Sequence, residues 1–154
     1  MKTIIKRILV LACAIYACST TLSAQSMLHE NGTVYVRKLS ENMYQPVPGL
    51  LSCKIENNHF WMFQNGVSIS EKEGYCQFSD GKYIYYNSND DIVARYIPSE
   101  GRYYITTAKG NDILKEASYA VLLDGILTLG VSNIRYTVEE GFDPVAVGFF
   151  LFIY

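Results

Sequence analysis

Residues that usually carry catalysis are scarce in this chain, which has two histidines and four cysteines among 154 residues. No Gly-x-Ser-x-Gly segment is present, so the chain lacks the nucleophile elbow of the serine hydrolases. No Cys-x-x-Cys pair is present either, which argues against a redox or metal pair of cysteines. We therefore predict no catalytic residue, no metal site and no cofactor, and we expect that the protein is not an enzyme.

A long hydrophobic run is also missing, and the apolar stretch near the start of the chain is short. Basic residues occupy part of the first seven positions, Ile8–Ala17 is apolar, and small or polar residues follow up to Ala24. This order is typical of a secretory signal peptide, and the run falls short of the roughly 20 residues that span a bilayer. We predict a signal peptide over 1–24 and a single domain over 25–154, in a protein that is periplasmic, at the cell surface or secreted.

A second interpretation of the same region involves a lipid anchor. Ile15-Tyr16-Ala17-Cys18-Ser19 resembles a bacterial lipobox in which Cys18 is the lipidated residue. In that case the mature protein would be tethered to a membrane through Cys18, and otherwise we expect no membrane partner.

Basic residues are in deficit once the signal peptide is removed. Three of the 13 Lys and Arg residues leave with it, whereas all 15 acidic residues stay, so the net charge of 25–154 is 10 minus 15, or −5. No basic patch with interleaved aromatic residues is present. These features argue against a nucleic-acid partner.

Two cysteines, Cys53 and Cys76, remain in the predicted domain. An even pair in an oxidising compartment predicts a structural disulfide, and two buried thiols are the alternative. A disulfide that closes this loop would stabilise the fold by roughly 3 kcal/mol. A catalytic Cys–His dyad with His59 would require free thiols in that compartment.

Short runs rich in Tyr, Ile, Val and Thr dominate the rest of the chain, above all over Tyr75–Val131. They are bounded by turn residues, and Asn65-Gly66, Asp80-Gly81 and Asp124-Gly125 each predict a two-residue hairpin turn. Asn-Gly favours a type I′ turn, which requires positive φ at both central residues. We predict nine or ten strands in an all-β antiparallel meander that closes into a small β-barrel, with a β-sandwich as the alternative.

Three segments depart from this strand pattern. Ser40–Gly49 contains Pro46 and Pro48 and is predicted to be a loop, because proline cannot donate to a central ladder. Ile113–Ala117 fits one helical turn. Val145–Tyr154 is predicted to be a buried final strand, and its aromatic alternation also resembles the closing strand of an outer-membrane barrel.

Tyrosine is abundant, and 12 of the 13 tyrosines lie in the predicted domain together with the one tryptophan. A flat apolar ring with one polar tip suits a ligand pocket in a barrel mouth, although tyrosine is also an ordinary strand residue. The ligand-binding candidates are Trp61, Tyr83, Tyr85, Tyr103 and Tyr119.

Three blocks of the sequence resemble the small lipocalin-like exported domains of Bacteroidota: Trp61–Val67, Ser118–Val121 and Ile126–Leu129. The Ala24-Gln25 junction is similar to exported proteins of the same group. The resemblance implies a barrel with an apolar cavity and no catalytic residues. The Gly-x-Trp of the first lipocalin strand is missing here.

The order of several short motifs is similar to that of lysozyme inhibitors built on a small barrel: Asp80-Gly81-Lys82, Gly101–Tyr104 and Lys109-Gly110. In that family a serine directly precedes the glycine and enters the lysozyme cleft, whereas this chain has Glu100 at that position. Taken together, the sequence predicts an exported, non-enzymatic barrel that binds a small apolar ligand or a protein partner. An extracytoplasmic structural or adhesion component is the rival interpretation.

Overall fold

A computed structural model describes residues 25–69, 73–113, 118–130 and 132–154. The predicted signal peptide and Cys18 lie outside these residues. The described chain forms thirteen strands and one helix. The strands are β1 (Ser26–His29), β2 (Val34–Ser40), β3 (Met43–Pro46), β4 (Leu51–Glu56), β5 (His59–Gln64), β6 (Val67–Ser68), β7 (Gly74–Ser79), β8 (Lys82–Asn87), β9 (Ile92–Ile97), β10 (Arg102–Ile105), β11 (Ala120–Leu123), β12 (Ile126–Leu129) and β13 (Arg135–Val138), and the helix is α1 (Pro144–Phe152).

The strands close into a barrel by pairing almost entirely with their neighbours in sequence. All pairs are antiparallel, and β1 pairs with β13 to complete the circle. Both β6 and β7 pair with β5, so they share one strand position and the barrel has 12 strands. The predicted all-β meander closed into a barrel is confirmed, and the sandwich alternative is wrong.

The predicted hairpin turns have the backbone geometry that their residues favour. The φ angles are 51° and 79° at Asn65-Gly66, 51° and 76° at Asp80-Gly81, and 49° and 74° at Asp124-Gly125. Positive φ at both positions is the requirement of the type I′ turn, and Asn, Asp and Gly meet it at the lowest steric cost.

The segment predicted as a final strand, Val145–Tyr154, is instead largely helical, and this prediction is wrong. Asp143 caps the helix by accepting a hydrogen bond from the Val145 amide at 2.8 Å, and Pro144 occupies the first turn, where its missing N–H costs nothing. A short run that is apolar on all sides fits a buried helix as well as a buried strand. Within the described residues, no helix has the length and apolar character needed to cross a membrane.

Helix α1 fills the interior of the barrel. Its residues from Val145 to Phe150 are buried, and aromatic side chains from different parts of the wall contact it. The ring centroids of Phe60 and Phe149 lie 4.5 Å apart, and those of Tyr44 and Phe150 lie 6.2 Å apart. The core is therefore built from inward strand residues around a central helix.

At Gly148, α1 packs closely against the wall. A Cβ atom at this position would overlap the ring and hydroxyl of Tyr85, a fully buried residue of β8. The absence of a side chain thus lets the helix approach β8, at the cost of a residue with low helix propensity.

Two other predicted segments differ in part from the structure. Ser40–Gly49 contains strand β3, and Tyr44 is fully buried there, so the prediction of a continuous loop is wrong. Pro46 is tolerated because it is the last residue of β3. Of the predicted helical turn Ile113–Ala117, residues 114–117 lie outside the described part of the chain.

Cys53 and Cys76 are buried free thiols, so the predicted disulfide is wrong and the alternative of two buried thiols holds. Cys53 lies on β4 and Cys76 on β7, with β5 between the two strands. Two strand spacings amount to roughly 9.5 Å, which exceeds the 7 Å that a disulfide allows between Cα atoms.

We predict that Gly148→Ala destabilises the protein by about 1–3 kcal/mol, because the new methyl group must displace the Tyr85 ring. Thermal and urea unfolding would measure the loss. In a Tyr85→Leu background, which lacks the obstructing ring atoms, the same change should cost much less, because alanine favours the helix. An equal cost in both backgrounds would contradict the packing described for α1.

We predict that neither thiol of the folded protein reacts with a disulfide-exchange reagent up to about pH 10. Burial raises the pKa of both Cys53 and Cys76 to about 12, so the reactive thiolate is not populated. Because an unfolded thiol ionises near pH 8.5, these groups favour the folded state below that pH and lose this contribution as the pH rises towards 12. An exposed Ser79→Cys variant is the positive control for the reagent. In the unfolded protein spanning 25–154, both Cys53 and Cys76 should react. An intact mass that shows an oxidised Cys53–Cys76 pair would contradict the structure.

Candidate functional site

Two of the predicted ligand-binding tyrosines are structural supports for α1. Tyr103 donates a hydrogen bond to the Pro144 carbonyl at 2.9 Å, and Tyr85 donates to the Val145 carbonyl at 3.2 Å. Both side chains are fully buried, and desolvation raises the pKa of each hydroxyl. Their polar tips, which could have faced a ligand, are thus used by the helix.

The other three candidates are divided between the inside and the outside of the barrel. Tyr119 contacts Phe152 of α1 at 5.3 Å between ring centroids, and Tyr83 stacks on Tyr96 at 6.3 Å. Trp61 is only partly buried and alternates along β5 with buried neighbours, so it faces outward. The structure thus places Tyr85, Tyr103 and Tyr119 against the helix. Tyr83 packs on Tyr96, and Trp61 lies apart from all of them.

The junction between β5 and β7, which we call the seam, has few paired residues. Only His59↔Tyr75 and Phe60↔Gly74 pair across it. Beyond Phe60, the edge of β5 is covered by β6. In the other direction β7 continues past the start of β5, and no described residue pairs with its last residues, 77–79, on that side.

Aromatic rings on the outer surface reinforce the seam. Centroids of successive rings lie 6.4 Å apart for Trp61 and His59, 5.5 Å for His59 and Tyr75, and 4.6 Å for Tyr75 and Tyr86. The last pair is parallel to within 6°. Such contacts add roughly 0.5–1.5 kcal/mol each beyond area burial, so this row stabilises a junction with few backbone hydrogen bonds.

An open groove of about 680 Å³ lies beside the seam and follows β7, and we call it the seam groove. Its lining combines amide side chains, aromatic rings and one carboxylate, that of Asp90, which accepts a hydrogen bond from Tyr75. Phe78 is 59% exposed although it is a large apolar residue. The lining residues are Asn57, Asn58, His59, Tyr75, Cys76, Gln77, Phe78, Ser79 and Asp90.

A smaller pocket of about 180 Å³ lies between the end of α1 and the wall near β6. Its lining is apolar apart from the Glu73 carboxylate and the Tyr154 hydroxyl, and it includes Phe149 and Ile153 from the last turns of the chain. A space of this size accommodates a benzene-sized group rather than a lipid chain.

His59 and the thiols of Cys53 and Cys76 lie on opposite sides of the barrel wall. His59 lies on the outer surface with Nδ1 2.9 Å from the Asn57 carbonyl, whereas both thiols point into the core with a pKa of about 12. Among the described residues, no cluster of three or more His, Cys, Asp or Glu side chains could hold a metal ion.

The seam groove was not predicted from the sequence. The groove exists because β7 overhangs β5, and strand register of this kind has no signal in a single sequence. Comparison of the chain with protein-family models, with curated proteins and with solved structures finds no match in any of the three.

Proposed function

We propose that this chain is an exported, non-enzymatic β-barrel that binds a protein partner through the seam groove. The observation that carries the proposal is the location of the open volume. Helix α1 occupies the interior of the barrel, whereas the groove of about 680 Å³ opens on the outer surface. Exposed Phe78 beside three amide side chains combines an apolar anchor with hydrogen-bonding groups, which is a common composition for binding surfaces.

The proposal also covers where the protein is located and which exported domains it is related to. A signal peptide over residues 1–24, or a lipid on Cys18, would place the barrel in the periplasm, at the cell surface or outside the cell. We also place the chain beside the lipocalin-like exported domains, and the closed antiparallel barrel supports this. This chain departs from that resemblance in two respects: its interior holds a helix instead of an apolar cavity, and it lacks the Gly-x-Trp of the first strand.

Binding of a small apolar ligand is the second candidate, and the pocket of about 180 Å³ beside Phe149 and Ile153 favours it. Ligand binding there would raise the melting temperature in the presence of a small aromatic compound such as indole. In an Ile153→Trp variant the indole ring would occupy the pocket, so this variant should lose the shift if the pocket is the binding site.

We predict that Phe78→Asp lowers partner capture at least tenfold, because it places a charge in the seam groove. The protein spanning 25–154 would be immobilised and exposed to the exported protein fraction of its source cell, and captured proteins would be quantified by mass spectrometry. Leu123→Asp is the matched control, since Leu123 is 65% exposed and also lies beside an Asp-Gly turn.

Retained capture by Phe78→Asp, or equal loss in both variants, would remove the support for the groove as the binding surface. Self-association that increases with concentration, without capture of another protein, would favour the structural or adhesion role instead.

A further inference from the structure

We infer that the seam groove binds an extended peptide segment carrying a lysine or arginine, which pairs antiparallel with the free edge of β7 as an added strand. The inference rests on the proposed function and specifies the chemistry of the partner. Three observations support it: the direction of the backbone groups at Phe78, the filling of the other half of the seam by β6, and the charge of the groove.

The hydrogen-bonding groups of β7 alternate between its two neighbours. Ser79 pairs with Lys82 across a two-residue turn, so Ser79, Gln77 and Tyr75 exchange hydrogen bonds with β8. The Cys76 amide points the other way and donates to the Asn58 carbonyl at 2.8 Å. Phe78 has the same orientation as Cys76, so its N–H and C=O face the groove, where no described residue pairs with them.

The chain itself shows how an added strand fits the seam. Residues Val67 and Ser68 of β6 pair with Gln64 and Phe63 and cover the second half of the edge of β5. The corresponding free edge of β7 covers residues 77–79, and no described residue continues the ladder there. At about 3.3 Å per residue, the free edge from Gln77 to Ser79 spans roughly 7 Å, which three residues of an extended peptide would match.

The charge of the site selects the side chain of the incoming peptide. Asp90 is the one charged residue that lines the groove, and the predicted domain carries a net charge of −5. A lysine or arginine at the end of the peptide that faces Tyr75 and Asp90 would therefore meet a carboxylate. Apolar side chains at alternate positions would contact Phe78, as strand addition requires.

The first test is selection from a phage-displayed library of random decapeptides on the protein spanning 25–154. We expect enriched peptides with alternating β-branched residues and one basic residue. Phe78→Pro, which removes the N–H that faces the groove, should weaken binding of these peptides at least tenfold. Phe78→Val, which retains the N–H and changes only the side chain, is the matched control, and both variants would be checked for an unchanged fold by circular dichroism.

A second measurement does not depend on any variant folding. N-methylation of the backbone nitrogens that should pair with β7 is expected to abolish binding of an enriched peptide, whereas N-methylation of the intervening residues should be tolerated. Hydrogen exchange should slow at the Phe78 amide on binding, and Asp90→Asn should weaken the basic peptide several-fold.

Three results would each overturn the inference. The library could show no enrichment over the Phe78→Pro protein, N-methylation could leave binding unchanged, or a glycan could displace the peptide. If capture of a folded partner is lost in Phe78→Asp but peptides do not bind, strand addition fails while the proposed function stands. If neither capture nor peptide binding responds to Phe78, both fail.

Discussion

Packing of α1 against the inward tyrosines and phenylalanines is the interaction on which the barrel depends. A barrel of 12 strands has a wider interior than an eight-strand barrel, whose side chains can just fill the lumen. A helix with its side chains is roughly 10 Å across, and one that is apolar on every side can bury all of its surface. The nine-residue α1 is such a helix, and Gly148 lets it lie directly against Tyr85.

This arrangement is the reason that we place the proposed binding surface on the outside of the wall. Inward hydroxyls of Tyr85 and Tyr103 are already paired with carbonyl groups of the first turn of α1. The barrel must still accommodate 13 strand segments in 12 positions, and the irregularity is concentrated at the seam. The seam is crossed by two register pairs, and the backbone groups of Phe78 face the groove there without a described partner.

Much of the fold could be predicted because it is encoded locally. Turns such as Asp80-Gly81 specify hairpins through the φ angles that their residues tolerate, and a series of hairpins that must cover its edges predicts closure. The helix was missed because the apolar run from Val145 gives no period that separates a buried helix from a buried strand. Strand β3 was missed because Pro46 and Pro48 outweighed the strand residues before them.

The candidate site was less predictable than the fold. The abundance of tyrosine is visible in the sequence, but whether Tyr85 faces a ligand or a helix depends on which segment fills the interior. The seam groove depends on the overhang of β7 beyond β5, which is set by the register of pairs such as His59↔Tyr75. Both properties arise from long-range packing, which residue types and spacing do not specify.

Closure of the barrel also governs how quickly the chain can reach its folded state. Met27 pairs with Val138, a partner 111 positions away (138 minus 27), so the final junction carries a large loop-closure entropy. Among the described strands, the other pairs join segments that are close in the sequence, so β1–β13 is the one distant pairing of the wall that the folding chain must make. Until β1 meets β13, each retains an unpaired edge that another chain could join, so the interval before closure is when this protein is most exposed to aggregation.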